Sequence, residues 1–128
     1  MPECPVATID YDRLMQANLA DVFNQRDAAK RITAIGELYA DNAVLYEPPD
    51  AAAQGHAAIS AAVTHLLASL PPDFTFKAAG PAHGHHGVGR LRWQAGPPDG
   101  PADVNGMDIA RFEGGRIISL HVFIEPTD

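Results

Sequence analysis

Asn105 to Glu125 reads NGMDIARFEGGRIISLHVFIE, two extended runs joined at Gly114-Gly115, with one acid, Asp108, set inside the first run. Aspartate is depleted in strands and is rarely buried without a partner. A hairpin needs no carboxyl group there. Asp108 therefore faces water, or it lines a cavity where a carboxyl group donates or accepts a proton.

The other reactive side chains point to less. His83, His85 and His86 lie close together, and His83 and His85 could share a face. Zinc sites want a third protein ligand, and the chain has neither a cysteine pair nor a His-Glu-x-x-His helix. The three read as a solvated Gly-rich turn, and no metal site is expected. His56 should open a helix, His65 should lie on its exposed side, and His121 should point to the face opposite Asp108. Ser60, Ser69 and Ser119 are the serines, none in a Gly-x-Ser-x-Gly elbow, and no phosphate-cradling loop is present. The single cysteine, Cys4, sits between prolines, where nothing would activate a thiol.

Composition narrows the classes further. The net charge of −7 over 128 residues disfavours nucleic acid and anionic membranes, which both need a basic surface. No stretch approaches the roughly 20 apolar residues of a membrane span. MPECPVATID lacks a basic stretch followed by an apolar run, so the expectation is a cytoplasmic protein without a secretory leader. The length suits one domain over residues 1–128, with residues 1–8 as a flexible arm.

Three helices precede a run of strands. Met15, Leu19, Val22 and Phe23 give a helix over about 10–25, capped by Thr8 or Asp10. Asp27 caps a second to about Tyr39, with Ile32, Ile35 and Leu38 inward. Asp41-Asn42 turns the chain, and AVLYE (Ala43–Glu47) reads as a short strand stopped by Pro48-Pro49. After an Ala/Pro loop to Gly55, a third helix spans about 56–70, with Ile59, Val63, Leu66, Leu67 and Leu70 on one stripe. From Pro72 the period becomes two. Phe74, Phe76 and Ala78 alternate in one strand, and Leu91, Trp93 and Ala95 in the next. The last two strands run from Val104 to Phe112 and from Arg116 to Glu125. Helices first and antiparallel strands afterwards indicate an α+β domain with a curved sheet. A three-residue turn, Glu113-Gly114-Gly115, would set Asp108 opposite Leu120, on the face of Val122 and Ile124. A four-residue turn would set it opposite His121. The double glycine favours the first.

LYADNAVLYEP (Leu38 to Pro48), MDIARFEGGRIISLHVF (Met107 to Phe123) and the QGHAAI opening of the third helix resemble the SnoaL-like and ketosteroid isomerase-like branch of the nuclear transport factor 2-like superfamily. The resemblance covers about 10–125. It implies a cone-shaped α+β barrel, with three N-terminal helices packed on a curved, mostly antiparallel sheet around a deep apolar pocket. It also implies a homodimer through the outer sheet face, which would carry Met107, Ile109, His121 and Phe123, with Arg90 and Arg92. In the ketosteroid isomerases a carboxylate before a proline on the first strand is the base, and a neutral aspartic acid late in the sheet donates to the enolate oxygen. Glu47 and Asp108 stand at those places. Two carboxyls in one apolar pocket can split such roles, because burial separates their pKa values.

The implied pocket wall is Leu45, Leu91, Trp93, Ala110, Leu120, Val122 and Ile124. The implied ligand is a small hydrophobic carbonyl compound, with no cofactor. The implied activity is that of an isomerase or polyketide cyclase; the alternative is a non-catalytic ligand-binding or dimerisation domain. One departure counts against isomerisation itself. The family's donor tyrosine on the first helix falls here near Leu19 or Ala20, while Tyr11 is too early in that helix.

Overall fold

A computed structural model of the chain describes residues 9–125. The arm read over residues 1–8, with Cys4 and Thr8, lies outside them. Helix α1 (Tyr11–Asn18) begins at Asp10, whose carboxylate accepts from Arg13 N–H at 3.0 Å and satisfies one of the free amides of the first turn. The helix does not run on regularly to Gln25. Leu19–Phe23 form a π-helical turn, closed by Asn24 N–H on the Leu19 carbonyl. Leu19 and Phe23, four residues apart on this turn, stand on the same cavity wall.

Asp27 caps α2 (Ala28–Leu38) through Ala29 and Lys30 N–H. Ile35 and Leu38 are buried as expected, but Ile32 is 38% exposed and Arg31 is 1% exposed. The inward stripe is therefore Arg31, Ile35 and Leu38, at helical spacing. The Arg31 guanidinium bridges the helices, donating to the Gln25 carbonyl and to the hydroxyls of Ser60 and Thr64. An inward arginine supplied with acceptors displaces Ile32 one position round the helix. Helix α3 (His56–Ala68) buries Ile59, Val63 and Leu67 and ends near Pro71-Pro72. His56 opens it, its Nε2 lying 3.0 Å from the Tyr39 and Ala40 carbonyls. His65 is exposed.

The sheet holds seven strands: β1 (Tyr39–Glu47), β2 (Ala51–Gln54), β3 (Thr75–Ala78), β4 (His83–His85), β5 (Val88–Gly96), β6 (Val104–Glu113) and β7 (Arg116–Glu125). Their order is β2-β1-β7-β6-β5-β3, with β4 also on β5. Among the described residues only the β1–β7 pairing is parallel. The α+β class and the mostly antiparallel sheet carried by three helices match the sequence expectation.

Three local readings are corrected. Asp41-Asn42 does not turn the chain; it lies inside β1, where the register on β7 shifts between Tyr39 and Val44. The Ala/Pro loop contains β2, which pairs Ala51 with Glu47 around the intervening Pro48-Pro49-Asp50 turn. The histidine turn contains β4, which pairs with the start of β5.

The final hairpin adopts neither of the two expected turns. Glu113 pairs with Arg116, so only Gly114 and Gly115 make the turn, both at positive φ (59° and 79°). That is the two-residue geometry in which glycine carries no steric penalty. Alone it would turn Asp108 to the His121 face. A bulge restores the face: Phe112 pairs with Ile117, but Arg111 pairs with Ser119, so Ile118 is the extra residue. Asp108 lies opposite Val122 rather than Leu120, still on the inner face. The expected side is right and the expected register is two residues out.

Candidate functional site

A cavity of about 350 Å³ lies between the helices and the inner face of the sheet. Leu19 and Phe23 of the π-turn and Leu66 and Leu70 from α3 and its end form the helical wall. Phe74, Phe76, Trp93, Ala95 and Val104 come from β3, β5, β6 and the residue before β3. Val122 and Ile124 come from β7, and Glu47 and Pro48 stand at the end of β1. Ile124 is 52% exposed and marks the wall's open side. The aromatic rings brace one another edge to face: Phe76 packs on Trp93 at 5.3 Å between centroids and on Phe23 at 6.2 Å.

Two carboxyl groups enter this apolar wall. Asp108 is 3% exposed, and its Oδ1 accepts from Trp93 Nε1–H at 2.9 Å. Burial raises its pKa to about 7, against the indole N–H, which favours the charged form. Near neutral pH it is thus present both as a neutral donor and as a carboxylate. Glu47 is half-buried, and burial raises its pKa too, with His65 pulling the other way. Among the described residues no lysine or arginine lines the cavity, so neither acid has a cation there to hold it ionised. Among the described residues no three His, Cys, Asp or Glu side chains gather as metal ligands would.

Behind the wall lies Tyr39, fully buried, its hydroxyl donating to Asn18 Oδ1. Burial, and then the charge of Asp108, raise the tyrosine's pKa well above its ordinary value. Tyr39 points inward, but its hydrogen is spent on Asn18 and it does not line the cavity. Tyr46 points to the outer face and stacks on His121 at 4.5 Å.

The residues expected in the pocket divide by depth. Glu47, Asp108, Trp93, Val122 and Ile124 meet at the cavity. Leu45, Leu91, Ala110 and Leu120 do not line it; they are buried in the core. All lie on the inner face, but alternation along a strand gives the side and not the end over which the helices close. Leu19, Phe23, Leu66, Leu70, Phe74, Phe76, Ala95 and Val104 were legible as core or strand residues, not as wall. Gly106, beneath Trp93, was missed; a glycine inside a strand signals a close approach.

With this geometry in place, comparison with known proteins fixes the class. The SnoaL-like domain family matches residues 17–120, and the chain belongs to that family. The fold is that of the nuclear transport factor 2-like and ketosteroid isomerase-like proteins. A SnoaL-like family protein from Agrobacterium tumefaciens, described provisionally as an isomerase, superposes with a TM-score of 0.82 at 26% identity, over 91% of this chain and 97% of that one. A protein from Sinorhizobium meliloti described provisionally as a polyketide cyclase gives 0.66 at 15%, over 86% and 93%. One from Kribbella flavida, provisionally a ketosteroid isomerase, gives 0.69 at 12%, over 92% and 79%. Both of these, below 25% identity, show the fold alone. Among curated proteins none matches. Among the described residues no helix is long and apolar enough to cross a membrane.

Proposed function

We propose that the cavity binds a small hydrophobic carbonyl compound and catalyses proton transfer at the carbon beside the carbonyl, as a cofactor-independent isomerase or cyclase. Glu47 is the base and neutral Asp108 the hydrogen-bond donor to the oxygen on which negative charge develops. The observation that carries this is the meeting of two pKa-raised carboxyls in one otherwise apolar cavity of about 350 Å³. Removing a proton next to a carbonyl requires both a base at the carbon and a donor at the oxygen, and neither works well when fully hydrated. A base with a raised pKa is also the stronger base. The cavity's volume falls at the small end of ligand sites and suits a compound of two or three fused rings.

Deuterium incorporation at the α-carbon tests this, with 1-tetralone and larger fused-ring ketones incubated with the protein in D₂O and followed by NMR. Exchange above the buffer rate is expected, with Glu47→Gln and Asp108→Leu each lowering it at least about a hundredfold, the low end of general acid–base contributions. Ketones that bind without exchanging would refute the acid–base reading.

That outcome would support the second reading, a non-catalytic ligand-binding domain. One observation favours it: no hydroxyl reaches the cavity from the first helix, where Leu19 stands, and Tyr39 is committed to Asn18. In either case the outer face suits a homodimer. It presents Tyr46, His121 and the 53%-exposed Phe123, with Met107 and Ile109 opposite Phe123 and His121 on β6, an apolar patch of the kind that marks an interface, and Arg90 and Arg92 border it on β5, as the sequence indicated.

A further inference from the structure

Trp93 is the only tryptophan in the chain, and its placement answers to Asp108. On the paired strands Trp93 stands opposite Gly106 and Leu91 opposite Asp108. The indole therefore lies across the partner strand and reaches Asp108 on the diagonal. It can do so because position 106 has no side chain. A Cβ there would sit 2.1 Å from Trp93 Cζ2 and 2.5 Å from Cε2, where no atom fits. Glycine weakens a strand interior, and here the space it leaves is filled by the ring.

The indole has a single N–H and engages a single oxygen, Oδ1. Among the described residues Oδ2 has no hydrogen-bond partner, and it is not sealed from the cavity that Asp108 lines. In a neutral carboxyl group the carbonyl-type oxygen is the better acceptor. An N–H held on Oδ1 thus leaves the acid proton on Oδ2, the oxygen open to a ligand.

We infer that Trp93, seated on Gly106, is a positioning residue that fixes which oxygen of Asp108 carries the proton and points it at one acceptor atom of the ligand. The inference rests on the cavity being the ligand site, and it deepens that reading. The site presents one donor on its inner side, and so selects a ligand with one buried acceptor, a ketone or enol oxygen, over the bare hydrocarbon. Two other titratable groups bear on Asp108: Glu47 in the same cavity and Tyr39 behind it. Tyr39 remains neutral throughout the neutral range.

The test uses the whole wild-type protein, labelled with ¹⁵N and with ¹³C at carboxyl carbons, from about pH 5 to about pH 9. The lone indole N–H resonance is expected to move with a midpoint near 7, together with the Asp108 carboxyl carbon. Asp108→Asn should abolish the movement, and Glu47→Gln should leave the midpoint within about half a unit. An indole resonance that stays still, or that tracks Glu47 instead, overturns the inference. In Trp93→Phe, which keeps a ring but loses the donor, the Asp108 midpoint should rise by about one unit, a tenfold weaker acid. The same variant separates positioning from packing. Its preference for 1-tetralone over tetralin, read by NMR titration, should fall about tenfold. Equal weakening for both compounds would reduce Trp93 to a packing residue and overturn the inference. Should wild-type protein show no preference between them while its indole still titrates with Asp108, the ligand-site reading fails and the indole–carboxyl coupling stands.

Discussion

Replacing Asp108 with asparagine should stabilise the protein, and more so the higher the pH. In the folded chain this carboxyl titrates at about 7, against an ordinary 3.8. A raised pKa means that the fold prefers the protonated form. Asp108 therefore weighs least against folding below its ordinary pKa. The penalty grows as pH rises from there to about 7, while the unfolded chain is ionised and the folded one is not, and then levels off. Each unit in that window costs about 1.4 kcal/mol. Between about pH 5 and about pH 8 the window contributes about two units, or about 3 kcal/mol lost from the wild type. Because the side chain is 3% exposed, solvent screening reduces the figure little. Asparagine is neutral in both states, and its side-chain carbonyl can still accept the Trp93 N–H. Glu47 titrates in both proteins and largely cancels. The stability gain of Asp108→Asn over wild type should thus be about 3 kcal/mol larger at pH 8 than at pH 5. Urea unfolding followed by Trp93 fluorescence measures it, provided the denaturant slopes agree. An equal gain at both pH values would mean that Asp108 has an ordinary pKa in the fold, and the neutral donor on which the proposed chemistry depends would be gone.

Two further expectations concern other parts of the molecule. Phe123→Glu places a charge in the middle of the outer apolar patch, and light scattering should show the mutant as a monomer at concentrations where the wild type is a dimer; a wild type that is already monomeric would remove the dimer from the proposal. Asp27→Ala deletes the cap on Ala29 and Lys30 N–H and should cost about 1 kcal/mol in urea unfolding, with no cost meaning that water replaces the carboxylate.

Much of this arrangement could be read from the residues, and the misses share causes. The inward direction of Asp108 was legible because a strand has only two sides, so an error of two residues in register still gave the right one. Depth was not legible. Leu91 and Trp93 alternate identically with their neighbours, yet one is core and the other is wall, according to where α1 and α3 cross the sheet. Ala51–Gln54 carries no strand propensity; β2 exists because the turn at Pro48-Pro49-Asp50 folds it back onto β1, a tertiary effect. Ile32 looked inward because apolar spacing ignores an arginine, and Arg31 is inward only because Ser60, Thr64 and the Gln25 carbonyl satisfy it. The hydrogen bond that closes the π-turn at Leu19–Phe23 spans one residue more than an α-helical one, and nothing in LADVF announces it.

The extra residue in β7 makes the last strand a matter of counting as much as of chemistry. Everything beyond Ile118 owes its side to that one insertion. Val122 and Ile124 line the cavity, while His121 and Phe123 look outward. Shortening the strand there by one residue would exchange the two sets while every downstream residue kept its identity, emptying the cavity wall and burying an imidazole in its place. Drift in residue identity can be absorbed one side chain at a time along this strand, whereas a change in its length cannot. Gains and losses of residues are better borne by the loop between β5 and β6, at 97–103, where no such parity has to be kept.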